Sequence, residues 1–214
     1  MDFKFLAAQL RKPEGDFGKD LGEKMNVSNK YINNRTLELL NVIENEKVLE
    51  IGMGNGYLCN EILMESTSAT YTGCDFSELM VEEASARNNF WVKNNRASFK
   101  LSDASKLPFN ADYFDKIFTV NTLYFWEDPV EELNEIKRVL KPGGLFILSI
   151  RTKRSMENLP FSKYGFNLYE EQDVLKQLIK VGFSRIETEV EEEPEIKIEE
   201  SAIRFQSIYA KCWK

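Results

Sequence analysis

Carboxylates and glycines recur in this chain where strand patterns give way to helix patterns. The first such place is Glu50-Ile51-Gly52-Met53-Gly54-Asn55-Gly56, which completes the short apolar run 47–51. Glycine there admits positive φ and lets a ligand approach the backbone with no Cβ between them. The G-x-G-x-G spacing differs from the G-x-G-x-x-G of dinucleotide folds, where a pyrophosphate rests on the helix N-terminus. Glu50 beside the turn suits a cationic ligand end better than a pyrophosphate. Asp75, closing a second strand pattern, is placed for the two hydroxyls of a ribose. Asp103-Ala104, closing a third, offers a carboxylate to an adenine amino group, and Phe76 offers an apolar face beside the adenine. Each feature alone also serves a plain strand–helix turn or a helix cap. The ligand reading rests on the set.

The elements that position these residues alternate. Strand patterns fall at 47–51, 70–74, 97–101, 114–120 and 145–150, with helices expected at 57–64, 77–89, from Asp128 to about Leu140, and at 170–181. The strand at 145–150 is apolar on both faces, as a strand buried between helix layers must be. In the helix before it, Asp128 can cap, Pro129 takes the first helical position, and Glu131 and Glu132 suit the first turn. Val130, Leu133, Ile136 and Leu140 make its buried stripe; Lys137, Arg138 and Lys141 suit its negative end, and Pro142-Gly143-Gly144 is expected to stop it. Two last strands, near 185–190 and 203–212, have no helix between them and imply an antiparallel hairpin at one edge. The acidic tract joining them, from Glu187 through Glu189, Glu191, Glu192, Glu193 and Glu195 to Glu199 and Glu200, reads as a solvated hairpin tip. Ahead of the first strand, Phe3, Leu6 and Leu10 share a helical face broken at Lys12-Pro13-Glu14-Gly15. A second helix at 30–43 carries Ile32, Thr36, Leu39, Leu40 and Ile43 on one side. Gly15, Gly18 and Gly22 are expected to act as hinges between them. This is an α/β chain with an open, mostly parallel sheet covered on both faces.

Composition narrows the chemistry. The 214 residues suit one domain. Histidine is absent, which removes imidazole bases, Ser-His-Asp hydrolysis and most zinc chemistry from this chain. The formal net charge of −7 and the lack of a Lys/Arg cluster disfavour nucleic acid as a partner. Cys59, Cys74 and Cys212 read as small buried residues in a reducing cytosol. No apolar run approaches the roughly 18 residues of a spanning helix. Met1-Asp2-Phe3-Lys4-Phe5-Leu6 lacks the pattern of a signal peptide, so a cytoplasmic location with no stable membrane insertion is expected.

From Lys47 to Ile150 the chain resembles the class I S-adenosylmethionine-dependent methyltransferases, and most closely their small-molecule, ubiquinone/menaquinone-biosynthesis-like subgroup. The resemblance is carried in order by 48–56, by Gly73-Cys74-Asp75-Phe76-Ser77, by Asp103-Ala104-Ser105-Lys106-Leu107-Pro108-Phe109, by Phe114-Asp115-Lys116-Ile117 and by Leu140-Lys141-Pro142-Gly143-Gly144. It implies a Rossmann-like, doubly wound seven-stranded sheet with a reversed C-terminal hairpin. It implies S-adenosylmethionine as methyl donor, S-adenosylhomocysteine as product and a small-molecule acceptor. It implies that Glu50 and the Gly52, Gly54, Gly56 turn face the methionine portion, Asp75 the ribose, and Asp103 with the Ala104 amide the adenine. Asn121 would lie near the transferred methyl. One domain is expected over 1–214, with 1–44 as a helical cap or lid and 45–214 as the core.

The acceptor side is expected past the fourth strand, at Asn121-Thr122-Leu123-Tyr124-Phe125-Trp126-Glu127-Asp128. Its three consecutive aromatics suit a flat, apolar or cationic acceptor, or else pack the loop onto the sheet. Tyr124 is the candidate catalytic hydroxyl. The cap, near Asn29 and Tyr31, and the polar segment 151–168 are the other candidate walls. Displacement at a sulfonium needs alignment and exclusion of water more than a base. The competing readings are an S-adenosylmethionine-binding sensor or partner subunit without methyl transfer, and a nicotinamide oxidoreductase on a similar sheet.

Overall fold

The computed structural model describes residues 2–198 and 201–214. Helices α1 (Phe3–Arg11), α2 (Gly15–Ser28) and α3 (Lys30–Leu40) precede β1 (Lys47–Ile51). Then come α4 (Tyr57–Met64), β2 (Thr70–Asp75), α5 (Glu78–Arg87), α6 (Asn89–Lys93), β3 (Ala97–Leu101), β4 (Phe114–Val120), α7 (Pro129–Val139) and β5 (Leu140–Arg151). The chain closes with α8 (Lys153–Met156), α9 (Glu171–Val181), β6 (Arg185–Glu192), β7 (Ile196–Ile198), β8 (Ser201–Ile203) and β9 (Gln206–Trp213).

The main sheet has seven strands in the order β3-β2-β1-β4-β5-β9-β6. The first five are parallel, and β9 runs antiparallel between β5 and β6. A parallel pair needs a crossover, which α4, α5 and α7 supply. Alternate strand residues enter two cores. Leu49, Ile117 and Leu148 pack with Leu133 and Ile136 of α7 and Leu178 of α9. Val48, Phe118 and Ile147 pack with Leu40 of α3 and Leu58 and Ile62 of α4. The chain leaves β1 toward β2 and returns to β4 on the other side. Strand order therefore reverses between β1 and β4, and the crevice opens at their carboxyl ends.

Several expectations are corrected in detail. Of the glycines at 15, 18 and 22, only Gly15, with a φ of 61°, turns the chain between α1 and α2; Gly18 and Gly22 lie within the 14-residue α2 and are not hinges. Gly18 is needed for closeness: a Cβ there would sit 2.8 Å from the Pro13 carbonyl carbon. The following helix ends at Leu40, because Asn41 turns left-handed, and Ile43 is exposed. The helix after β2 divides at Asn88, whose side-chain amide donates to the Gly56 and Ala84 carbonyls. Helix α7 stops at Val139, before Pro142-Gly143-Gly144, because Leu140 is already extended and paired with Phe114. The Pro-Gly-Gly turn therefore lies inside β5, where the register with β4 shifts, and Lys141 pairs with Asp115 at 2.5 Å instead of serving the helix end.

The acidic tract is also divided. Glu193 is buried, and its carboxylate takes both the Nε and Nη2 donors of Arg151, at 2.8 and 2.9 Å. Glu189 and Glu191 pair with Arg35 of α3. Strands β7 and β8 form a small antiparallel pair beyond them. Glu199 and Glu200 lie outside the described residues. The three cysteines are buried and free, and burial pushes their thiols up, that of Cys74 to about 12.

Candidate active site

One cavity of about 500 Å³ occupies the carboxyl-end crevice between β1, β2 and β4, roofed by α1, α2 and α3. That volume suits a ligand of drug or nucleoside size. The glycine turn forms its floor. The Gly52 and Met53 N–H groups both donate to the Cys74 carbonyl, at 2.8 and 3.2 Å, so the turn continues the β1–β2 ladder. Gly52 and Gly54 both have positive φ, for different reasons. A Cβ on Gly52 would sit 2.2 Å from the Thr122 methyl, so the glycine is needed for packing. A Cβ on Gly54 would meet nothing within 4 Å, so its bare face is left to the cavity.

Asp75 ties this turn to the end of β2. Its Oδ2 accepts from the Gly54 N–H at 3.0 Å and its Oδ1 from the Ser77 N–H at 2.9 Å. Burial pushes its carboxyl up to about 6, and those backbone donors hold it from going higher. Glu50 is more extreme. It is 4% exposed, and its one side-chain partner is the Tyr71 hydroxyl, which donates to Oε2. Burial, with the Asp75 charge nearby, pushes Glu50 up to about 8, a value at which it is largely neutral at pH 7. Burial and the Glu50 charge push Tyr71 well above its ordinary value.

Gly56 is a correction: it does not line the cavity, and a Cβ there would sit 2.8 Å from the Ala84 Cβ, so its bareness serves packing on α5, while the other predicted residues lie around the same space. Asp103 and Ala104 line it, with Asp103 Oδ1 accepting from the Ser105 N–H and hydroxyl at 2.9 and 2.8 Å. Phe76 stands at the rim, 36% exposed. Asn121 ends β4 with a left-handed φ of 56°, a conformation Asn tolerates better than most residues. Its Oδ1 accepts from the Arg151 N–H at 3.3 Å and the Tyr124 hydroxyl at 3.2 Å. Tyr124 itself is a correction. The short turn Leu123–Phe125 directs its ring into the core against Phe166. Its hydroxyl donates to the Arg151 carbonyl at 2.8 Å, and burial pushes it far above its usual range. The cavity is lined instead by the neighbouring Phe125 and Trp126 rings. Tyr124 therefore holds the loop and presents no hydroxyl to the cavity.

Sequence reasoning missed most of the roof. Gln9, Arg11, Asn26 and Asn33 line the cavity from the roof, and Asn55 of the glycine turn lines it from the floor. The Asn33 amide is buried, and among the described residues no side-chain hydrogen bond is made by it. A readable signal was present for Asn33 alone: it lies on α3 beside the buried Ile32 and Thr36, whereas Asn26 belongs to α2 and Asn29 to the junction between the two helices. The roof is tied down by Arg11–Glu127 at 3.0 Å, Lys19–Glu83 at 2.8 Å, Arg87–Glu23, the Ser77 hydroxyl on the Pro13 carbonyl at 2.7 Å, and Arg151 on the Ser28 carbonyl at 2.8 Å. Around the described wall stand seven carboxylate side chains and one guanidinium, that of Arg11, which Glu127 already holds. A pyrophosphate has no cation to meet here. A cationic ligand has several carboxylates.

A family model described as a methyltransferase domain matches residues 49–148. That match covers just under half of the chain, and over it the chain is similar to S-adenosylmethionine-dependent methyltransferases. It is similar to the Bacillus subtilis methyltransferase YdaC, 28% identical over 63% of this chain and 72% of that one. It also resembles a Nautilia profundicola tRNA U34 carboxymethyltransferase (38%, over 50% and 34%) and a Clavibacter sepedonicus demethylmenaquinone methyltransferase (30%, over 59% and 49%). The chain thus spans half or less of the length of those last two. In fold it is similar to a Haloferax volcanii methyltransferase solved with the Trm112 activator, at a TM-score of 0.75 and 19% identity over 97% of this chain and 96% of that one. Among the described residues no helix is long and apolar enough to cross a membrane.

Proposed function

We propose that this chain transfers a methyl group from S-adenosylmethionine to a small-molecule acceptor in the cavity beneath its helical roof. The observation that carries the reading is the pairing of an open Gly54 face with two buried carboxylates, Glu50 and Asp75, that no basic side chain meets. A ligand with a cationic end and hydroxyls completes that site; an anionic one does not.

The donor, when bound, supplies a methyl group already activated by its sulfonium. The chain's own residues bind and align. Glu50 and the Gly52–Asn55 turn hold the methionine end, Asp75 accepts from the ribose hydroxyls, and Asp103 with the Ala104 N–H meets the adenine edge beside Phe76. Asn121, fixed by Arg151 and Tyr124, marks the end of β4 where the methyl is delivered. Helices α1 and α2, strapped by the ion pairs above, keep water from the crevice, and Phe125 and Trp126 supply apolar wall. Proximity and desolvation are the main catalytic factors. RNA is disfavoured as acceptor, because an acidic wall repels phosphates.

Calorimetric titration with S-adenosylmethionine and S-adenosylhomocysteine tests the donor half, and absence of binding at millimolar ligand sinks it. A product screen across quinols, phenols, amines and thiols tests the transfer. A second reading, binding without transfer, is favoured by the withdrawal of the Tyr124 hydroxyl. It stands if donor binds and no acceptor yields product.

A further inference from the structure

The donor, as read above, accounts for Glu50, Asp75 and Asp103. The same wall holds four more carboxylates: Glu127, Asp128, Glu131 and Glu132. Two of them have partners in the protein. Glu127 holds Arg11 at 3.0 Å, and Asp128 accepts from the Val130 and Glu131 N–H groups as the cap of α7. Glu132 is different. It is 5% exposed, it lines the cavity, and its Oε2 is sealed from solvent with no hydrogen-bond partner among the described residues. A carboxylate oxygen in that state is costly unless a cation or a strong donor meets it. The α7 N-terminus relieves part of the cost through the Glu127 and Glu132 N–H groups, yet burial still pushes the carboxyl up, and Oε2 stays unpartnered in a residue that lines the cavity. Phe125 and Trp126 lie in the same wall, and ring faces attract cations.

We propose that the acceptor carries a positive charge, as a protonated amine or quaternary ammonium, and that Glu132 receives that charge. This rests on the methyl-donor reading, which it narrows to cationic acceptors. Charge balance agrees. A donor with one sulfonium, one ammonium and one carboxylate adds a single net positive charge to a wall of seven carboxylates and one guanidinium. Phosphorylated and carboxylate acceptors find no free cation in the described wall, and a neutral acceptor leaves the burial cost of an ionised Glu132 unrelieved, whereas a cationic one offsets it.

The test uses the full chain saturated with S-adenosylhomocysteine and three probes that share one ring system and differ in charge: tryptamine, tryptophol and indole-3-acetate. Binding is read by calorimetry. Tryptamine is expected to bind at least about tenfold more tightly than tryptophol, and indole-3-acetate not to bind. Glu132→Gln keeps the shape and removes the charge. It is expected to erase the preference for tryptamine while S-adenosylhomocysteine affinity stays within about twofold, which also reports that the variant is folded. Glu65→Gln, exposed and outside the cavity wall, is expected to keep the preference. Equal or weaker binding of tryptamine, or a preference that survives Glu132→Gln, overturns the proposal. So does a loss of S-adenosylhomocysteine affinity in Glu132→Gln with tryptamine preference intact, since Glu132 then serves the donor. Failure of wild-type protein to bind S-adenosylhomocysteine overturns the donor reading, and this inference falls with it.

Discussion

Glu50 makes donor binding a proton-linked event. In the free protein its carboxyl lies at about 8. At pH 7 the neutral form therefore exceeds the ionised form by about tenfold, and roughly 0.9 of a proton is held. A ligand ammonium docking at the glycine turn favours the ionised form, so that proton must leave on binding. Asp75, at about 6, is already some nine-tenths ionised at pH 7 and adds only about 0.1. The groups facing Glu50 are Tyr71, Asp75 and Cys59, and none titrates near pH 7 in a way that would mask the release. The expected release is about one proton per S-adenosylhomocysteine, measured as the dependence of binding heat on buffer ionisation enthalpy in phosphate and Tris. Affinity should rise about tenfold from pH 7 to 9 and level off above pH 8. Glu50→Gln should leave about 0.1 proton. The same group sets stability in the opposite sense. Its folded value exceeds the unfolded value, so the free protein loses stability as pH rises from about 4.5 to 8. At pH 7 the loss is about 3 kcal/mol at most, and Glu50→Gln should recover much of it in thermal unfolding while weakening ligand binding. Buffer-independent binding heats at pH 7, or equal release by the variant, would refute this account of Glu50.

Other substitutions separate site from scaffold. Asp75→Ala should weaken S-adenosylhomocysteine binding more than tenfold and cost about 1–3 kcal/mol of stability, because the Gly54 and Ser77 N–H groups lose their acceptor; near-normal affinity in titration makes Asp75 structural only. Gly54→Val puts a β-branched residue at a left-handed φ, costing about 1–3 kcal/mol, and should abolish binding, whereas Gly52→Ala should lose more stability because it also strikes Thr122, and circular dichroism with titration distinguishes the two. Tyr124→Phe should cost about 1 kcal/mol in denaturant unfolding and leave turnover within about threefold, since its hydroxyl holds the Arg151 carbonyl; a hundredfold loss of turnover restores it as catalytic. Glu193→Gln leaves the buried Arg151 uncompensated and should destabilise by about 3–5 kcal/mol, read by chemical denaturation.

Much of this was legible in the chain before folding, because it is encoded over a few residues. Strand and helix periodicity, the Asp128-Pro129 start of α7 and the Gly182 end of α9 are local, and the structure reproduces them. The glycine turn with Asp75 and Asp103 is legible for the same reason: each closes a strand, and parallel strands of one sheet end on one side. Local reading failed where a residue's fate depends on a distant partner. A glycine-bearing helix looked like a hinge because propensity does not register the close approach of Pro13 to Gly18. The Pro142-Gly143-Gly144 turn looked like a helix stop because nothing local records the pairing of Leu140 with Phe114.

The sequence by itself determined the strand–helix order and which strand ends carry the residues proposed for the methyl donor. The tertiary structure decided which polar groups converge there and in what charge state. It sent Tyr124 inward, buried Glu193 against an arginine 42 residues away, brought Asn33 and Gln9 down from the roof and left one oxygen of Glu132 without a partner. The physical reason is range. Turn geometry and periodicity act over one to eight residues, whereas desolvation and ion pairing depend on whatever the fold packs alongside.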